Sequence, residues 1–151
     1  MILSTTGNLL SAQTDALVNT VNCVGVMGKG IALQFKRAWP TMFEAYVAAC
    51  RQGAVAPGRL HVWAIPAESG HRHIVNFPTK RHWREGSRLE DIDAGLVDLR
   101  RLIELFGWRS LALPPLGCGN GGLDWRIVRP RVVSTIGELS ARVELFEAGH
   151  V

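Results

Sequence analysis

The chain has 151 residues, 47% of them hydrophobic and 20% charged, with a net charge of +4 at neutral pH. That length and composition describe one domain with its own core and exclude disordered and fibrous classes. No window approaches the roughly 18 consecutive apolar residues of a membrane span, and MILSTTGNLL lacks the basic start and apolar run of a secretory signal, so a cytoplasmic protein with no membrane partner is expected. In chain order, Ile2–Ser4 and Ala16–Val21 read as strands. The stretch NCVGVMGKGIALQF leaves the second of these at Asn22 and enters a helical pattern of Ile31, Leu33, Gln34 and Phe35. Thr41 is placed as the N-cap of the next helix, with Glu44 three residues on closing a capping box and Gly53 ending the run. His61–Ile65 and His73–Phe77 are strands. Ser87 and Glu90 repeat the capping device ahead of a helix whose Ile92, Leu96, Leu99, Ile103 and Phe106 form one apolar stripe, stopped by Gly107. Ser110–Leu113 is a further strand. Proline inside a helix removes a backbone donor and clashes with the preceding turn, so the expectation is a tight turn over Asp124–Arg129 and a separate helix beginning at Pro130. Arg142–Phe146 closes the series, and the alternation of strands with helices points to an α/β sandwich.

Two glycine-rich stretches follow strands. The first passes Gly25, Gly28 and Gly30 before its helix, a junction where backbone N–H groups and the helix dipole favour an anion, although a plain turn is an equal alternative. It is not a Walker loop, because Gly30 stands where the magnesium-binding hydroxyl would be. The second, LPPLGCGNGGLDW, contains G-x-G-x-x-G at Gly117, Gly119 and Gly122, but it lies too near the end of the chain for a dinucleotide fold. One ligand lying across adjacent strand ends, its diphosphate held by both loops, explains the pair better.

DALVNTVNCVGVMGKGIALQFK, VNFPTKRHWR and LPPLGCGNGGLDW, in this order and spacing, resemble the macrodomain family, ADP-ribose-binding modules built as a three-layer α/β/α sandwich with a mixed central sheet. Within the family they are most similar to the branch of DarG-type antitoxins, DNA ADP-ribosyl glycohydrolases related to the terminal ADP-ribose protein glycohydrolase. The resemblance implies one macrodomain over 1–151, the N-terminal domain of a longer antitoxin. It also implies removal of ADP-ribose from thymidine in single-stranded DNA, reversing the work of a DarT-type toxin whose contact region this chain lacks. No cofactor and no metal are expected; ADP-ribose is the ligand and product. Two other activities stay open, a non-catalytic ADP-ribose reader and a hydrolase of ADP-ribosylated protein carboxylates.

The same likeness assigns the catalytic role to Lys80, whose amine would attack the anomeric carbon of the distal ribose and leave a Schiff-base-type adduct for water to resolve. The residues themselves are compatible with that role. A lysine at a strand end, beside Arg81 and His82 and partly screened by Phe77 and Trp83, has its ammonium form disfavoured by like charge and desolvation. A solvated lysine on a basic face is the alternative. Binding roles fall on Asn8, Leu9, Asn22, Gly28, Lys29, Gly30, Ile31, Thr79, His82, Trp83, Gly117, Cys118, Gly119, Asn120, Gly121, Gly122 and Phe146. Asn22 would orient the distal ribose hydroxyls or else satisfy loop backbone. Phe146 would lie against adenine or else be an ordinary core residue.

The sequence departs from the family pattern twice. The protein-directed relative carries an aspartate where Gly121 stands here; Asp124 or water would have to supply the proton. Gly7 is followed by Asn8 instead of the usual aspartate, and an amide oxygen can still accept from the adenine amino group. Cys23 and Cys118 lie in the glycine loops, but no histidine base accompanies them. With Cys50 they read as small, buried reduced thiols. Arg81, His82, Arg84 and Arg88 around Trp83 would either track a DNA strand while the indole stacks on a base, or pack on the following helix.

Overall fold

The structure is a computed structural model that describes residues 1–66 and 72–148. Six strands, β1 (Ile2–Thr5), β2 (Ala16–Val21), β3 (His61–Ala64), β4 (His73–Pro78), β5 (Ser110–Leu113) and β6 (Arg142–Phe146), form one sheet in the order β1-β6-β5-β2-β4-β3. Every neighbouring pair is parallel except β3 with β4, so the sheet is mixed, and five strands end at the same edge. Four helices complete the fold: α1 (Gly30–Ala38), α2 (Pro40–Arg51), α3 (Leu89–Phe106) and α4 (Trp125–Ile136).

Alternation along the strands sets the layers. From β2, Ala16 and Val18 pack with α3 and α4 residues such as Leu96, Leu99, Val128 and Val132. Leu17 and Val21 point the other way, onto Phe35, Met42 and Tyr46 of α1 and α2. The helix α3 approaches β4 closely because position 95 has no side chain; a Cβ there would sit 2.3 Å from the Phe77 ring. One polar pair lies inside this apolar architecture. Asn19 and Asn76 face each other in register across β2 and β4, and the Asn19 amide donates to Asn76 Oδ1 at 3.1 Å.

The expected helix starts are revised by local competition. Pro40, with its φ fixed near the helical value, occupies the first turn of α2, so Trp39 is the N-cap and Thr41 caps nothing. Ser87 is drawn instead onto the β5–α4 loop, its N–H donating to the Gly121 carbonyl at 2.9 Å, and α3 starts from Arg88 without a side-chain cap. The expected break at Pro130 does not occur either. Asp124 caps α4 by accepting from the Arg126 N–H at 2.9 Å, and the helix runs through Pro130. Burial of Trp125, Val128, Val132 and Ile136 along one stripe outweighs the single backbone bond that Pro130 cannot make. Gly107, with φ of 66°, ends α3 as expected.

Candidate functional site

The loops that leave the shared strand edge enclose a cleft of about 870 Å³. Its base is made by the ends of β2 and β4, which are stitched together beyond the sheet. Thr79 N–H donates to Val21 O at 2.9 Å, Cys23 N–H to Arg81 O at 3.2 Å, and the Cys23 thiol to Lys80 O at 3.5 Å. Asn22 then holds the first glycine loop in shape. Its Oδ1 accepts from Val24 N–H at 3.0 Å and from Val26 N–H at 3.3 Å, and its amide donates to Val26 O at 2.8 Å. The Tyr46 hydroxyl, fully buried on α2, reaches Asn22 O at 2.7 Å and Asn22 Oδ1 at 2.9 Å. Asn22 therefore lines the cleft but spends its carbonyl oxygen on the loop, leaving one amide hydrogen for a ligand.

The first glycine loop delivers Gly28, Lys29, Gly30 and Ile31 to one wall, where the first-turn N–H groups of α1 have no acceptor within the helix. The second brings Gly117, Cys118, Gly119, Asn120 and Gly121 to the other. Gly30 has φ of 63°, and a Cβ there would stand 3.4 Å from the Asn120 amide nitrogen, so the loops approach one another closely. Asn8 and Leu9, with Phe146 at the end of β6, supply the remaining end of the cleft. The Asn8 side chain accepts from Leu10 N–H at 3.1 Å, which leaves its amide nitrogen open. Two expected members stand apart. His82 lies outside the lining, its Nδ1 accepting from Arg84 N–H at 3.1 Å, and Gly122 is the left-handed residue that terminates the Gly119–Gly121 turn. Thr20, Gln34, Pro114 and Pro115, none of them singled out as a binding residue above, also line the cleft. Of these, only the Pro114–Pro115 pair, which stiffens the exit of β5, left a readable signal.

Among the described residues the charge of the cleft is one-signed: Lys29 and Lys80 line it, and no carboxylate does. The Lys80 ammonium has no hydrogen-bond or ion-pair partner among the described residues. Burial first, and the Lys29 charge second, lower its pKa below the usual lysine value. The neighbours expected to do this are otherwise engaged. Arg81 makes a two-pronged ion pair with Asp91 of α3, at 3.0 and 3.1 Å, and Phe77 is fully buried beneath the sheet. Trp83 does line the cleft, 43% exposed, with the Arg84 guanidinium 4.6 Å from its ring centroid.

Other candidates for the chemistry are removed by their surroundings. Burial pushes the Cys23 and Cys118 thiols up to about 11, so both are protonated at neutral pH. Asp124 is committed to Arg126 and to the α4 cap, and it does not line the cleft. The place of the absent acid is physically occupied. A Cβ on Gly121 would come within 2.3 Å of Ser87 Oγ, so an aspartate there requires Ser87 to move. Among the described residues no group of three or more His, Cys, Asp or Glu side chains could hold a metal, and no helix is long and apolar enough to cross a membrane.

Fold and site together define an α/β/α module with a basic cleft of nucleotide size at the carboxyl ends of its parallel strands. The macro domain family model matches residues 18–132, and the chain belongs to the macrodomain family. It is 58% identical over 139 residues to the DNA ADP-ribosyl glycohydrolase of Mycobacterium tuberculosis, covering 92% of this chain and 40% of that protein. The macrodomain of Thermus aquaticus DarG superposes with a TM-score of 0.92 at 51% identity, covering 97% of this chain and 98% of that one. A third relative, a DNA ADP-ribosyl transferase-DNA ADP-ribosyl glycohydrolase fusion protein of Thermosipho africanus, is 33% identical over 155 residues, covering 93% of this chain and 40% of that protein. The structure of Thermosipho africanus DarTG in complex with ADP-ribose superposes with a TM-score of 0.89 at 30% identity, covering 96% of this chain and 41% of that one. The chain spans about two fifths of the length of the curated relatives it matches.

Proposed function

We propose that this chain hydrolyses ADP-ribose from thymidine in single-stranded DNA, with Lys80 as the nucleophile, and so reverses the modification made by a DarT-type toxin. The observation that carries the proposal is Lys80 itself: an amine, partly buried beyond the end of β4, with no partner and no carboxylate in its cleft among the described residues. The names of the relatives support the substrate.

The chemistry balances on Lys80 and water. Neutral Nζ attacks the anomeric carbon of the distal ribose, and the bond from that carbon to the thymine nitrogen breaks. The electron pair leaves with the ring, whose delocalised anion takes the proton released by the alkylated amine. Water then replaces the amine on the sugar carbon, freeing ADP-ribose and restoring Lys80. The α1 N-terminus and the Gly119–Gly121 turn hold the diphosphate, while Leu9 and Phe146 flank the adenine. Trp83, with Arg84 on its ring, offers the flanking DNA a stacking surface, and the exposed Arg88 extends the basic path. Because Ser87 fills the space beside Gly121, the pocket has no acid of the kind a hydrolase of protein esters would use.

The test is incubation with an oligonucleotide carrying ADP-ribosyl thymidine and, in parallel, with protein ADP-ribosylated on carboxylates. Release from the DNA alone is expected. Binding of ADP-ribose without release from either would establish a reader instead.

A further inference from the structure

Lys29 makes no hydrogen bond or ion pair through its side chain among the described residues. It is the N-cap residue of α1 yet makes no side-chain cap bond, it is exposed, and its extended backbone at φ of −160° is open to any residue. Among the described residues it is nevertheless one of only two charged residues lining the cleft, and the other is Lys80. The frame between them is fixed from both sides. Lys80 is held through its carbonyl by Cys23, and Asn22, clamped by Tyr46, fixes the loop that leads to Lys29. Two ammonium groups are thus built into one cavity on loops that cannot easily move apart.

The other charged or titratable groups around Lys80 leave this pairing uncompensated. Cys23 on the β2–α1 loop and Cys118 on the β5–α4 loop are protonated thiols. On the loop of Lys80 itself, Arg81 is paired with Asp91 of α3, Arg84 lies on Trp83, and His82 and Glu85 do not line the cleft. Among the described residues no carboxylate lines the cleft to face either ammonium.

We propose that Lys29 is a positioning residue for the reaction, acting through Lys80: its charge keeps the Lys80 amine in the neutral form that can attack carbon. This rests on the proposed glycohydrolase function. The effect is the familiar one of a lysine activated by an adjacent cation. Burial of Lys80 works in the same direction, and the charge on Lys29 adds to it. The sign is definite. Neutral amine increases as pH rises through the Lys80 midpoint, so removing a neighbouring cation moves that midpoint up and depletes the reactive form at neutral pH. Salt screens the charge of Lys29 but leaves the burial of Lys80 unchanged.

The experiment has two arms on wild type, Lys29→Met and Lys29→Arg. In the first, lysines are labelled by reductive 13C-methylation, and the Lys80 signal, assigned by its loss in Lys80→Arg, is titrated by NMR without ligand. The expected result is a higher midpoint in Lys29→Met, a wild-type midpoint in Lys29→Arg, and convergence of wild type on Lys29→Met in high salt. In the second, single-turnover release of ADP-ribose from modified DNA is followed against pH at saturating substrate. Lys29→Met should be slower by roughly threefold or more below the midpoint and regain the wild-type rate above it, as expected of a shifted protonation equilibrium. An unchanged Lys80 midpoint in Lys29→Met, or a rate loss that is uniform across pH, overturns the proposal and leaves Lys29 as a ground-state contact. No release by wild type, with the NMR shift intact, overturns the proposed reaction and not the coupling between the two lysines.

Discussion

At the scale of single residues, the proposed reaction separates binding from chemistry at Lys80. If the glycine loops hold the ground state and Lys80 attacks only as the bond breaks, Lys80→Ala should lower single-turnover release from modified DNA by at least about a hundredfold while ADP-ribose affinity stays near wild type. Lys80→Arg should be as slow, because a guanidinium keeps its proton. A fast Lys80→Arg would make the residue a charge clamp. The position of Lys80 was legible from VNFPTKRHWR, but its electrical neighbour was not. Chain adjacency suggested Arg81 and His82. At the end of a strand, however, successive side chains diverge, and Arg81 turns to Asp91 on α3. The cation that matters, Lys29, lies 51 residues earlier (80 − 29), and only the packing of β2 against β4 brings it near. Asn22 was legible as a site position, with both of its roles in view, but the Tyr46 hydroxyl that bonds its carbonyl oxygens leaves no periodic signal.

Among the elements, the six strands were readable because each is a short, largely apolar run that alternates with helical patterns and turn formers. Helix starts were less readable, since a capping side chain competes with whatever else the loop can bond. Ser87 illustrates this, with its N–H on Gly121 and its buried Oγ without a partner. Pro130 misled for a related reason: the local rule is correct, but one lost bond is small beside four buried side chains on α4. That residue is exposed, and so is Arg126, whose carbonyl it leaves without a donor. Pro130→Ala should therefore stabilise the protein by about 1–3 kcal/mol in urea unfolding, and destabilisation would show that the ring packs usefully. A second test concerns Glu147, which joins three elements. Buried after β6, it accepts from Ser4 Oγ at 2.6 Å, from Trp125 Nε1 at 3.0 Å and from Arg129 Nε at 3.0 Å. Burial would raise its pKa, but these donors outweigh it and hold the carboxyl below the ordinary glutamate value. A depressed folded-state pKa gives stability that is present above the unfolded value and is lost as pH falls through the folded one. Wild type should exceed Glu147→Gln in melting temperature at neutral pH, with the gap narrowing in acid; a gap independent of pH would remove the carboxylate from the account.

For the whole molecule, the sandwich places every ligand-facing group at one rim and the bulk of the helix packing away from it. Binding to the folded state alone then raises stability by RT ln(1 + [L]/Kd), and ADP-ribose at a hundred times its Kd should add about 2.7 kcal/mol, read as a rise in melting temperature. No rise at high ligand would disconnect the cleft from the macrodomain function. The layers and the strand edge were legible in the sequence, because alternation fixes which face each strand residue takes. The cleft as a shape was not, because Thr20, Gln34 and Pro115 come from separate elements that meet only in the folded chain. The one-signed cleft has a final consequence. With Lys29 charged and no carboxylate among the described residues that line the cleft, the pocket should draw small anions from the buffer. Nucleotide binding is then a swap of one anion for another, and affinities measured in phosphate should fall below those measured in a bulky, weakly coordinating buffer at the same ionic strength.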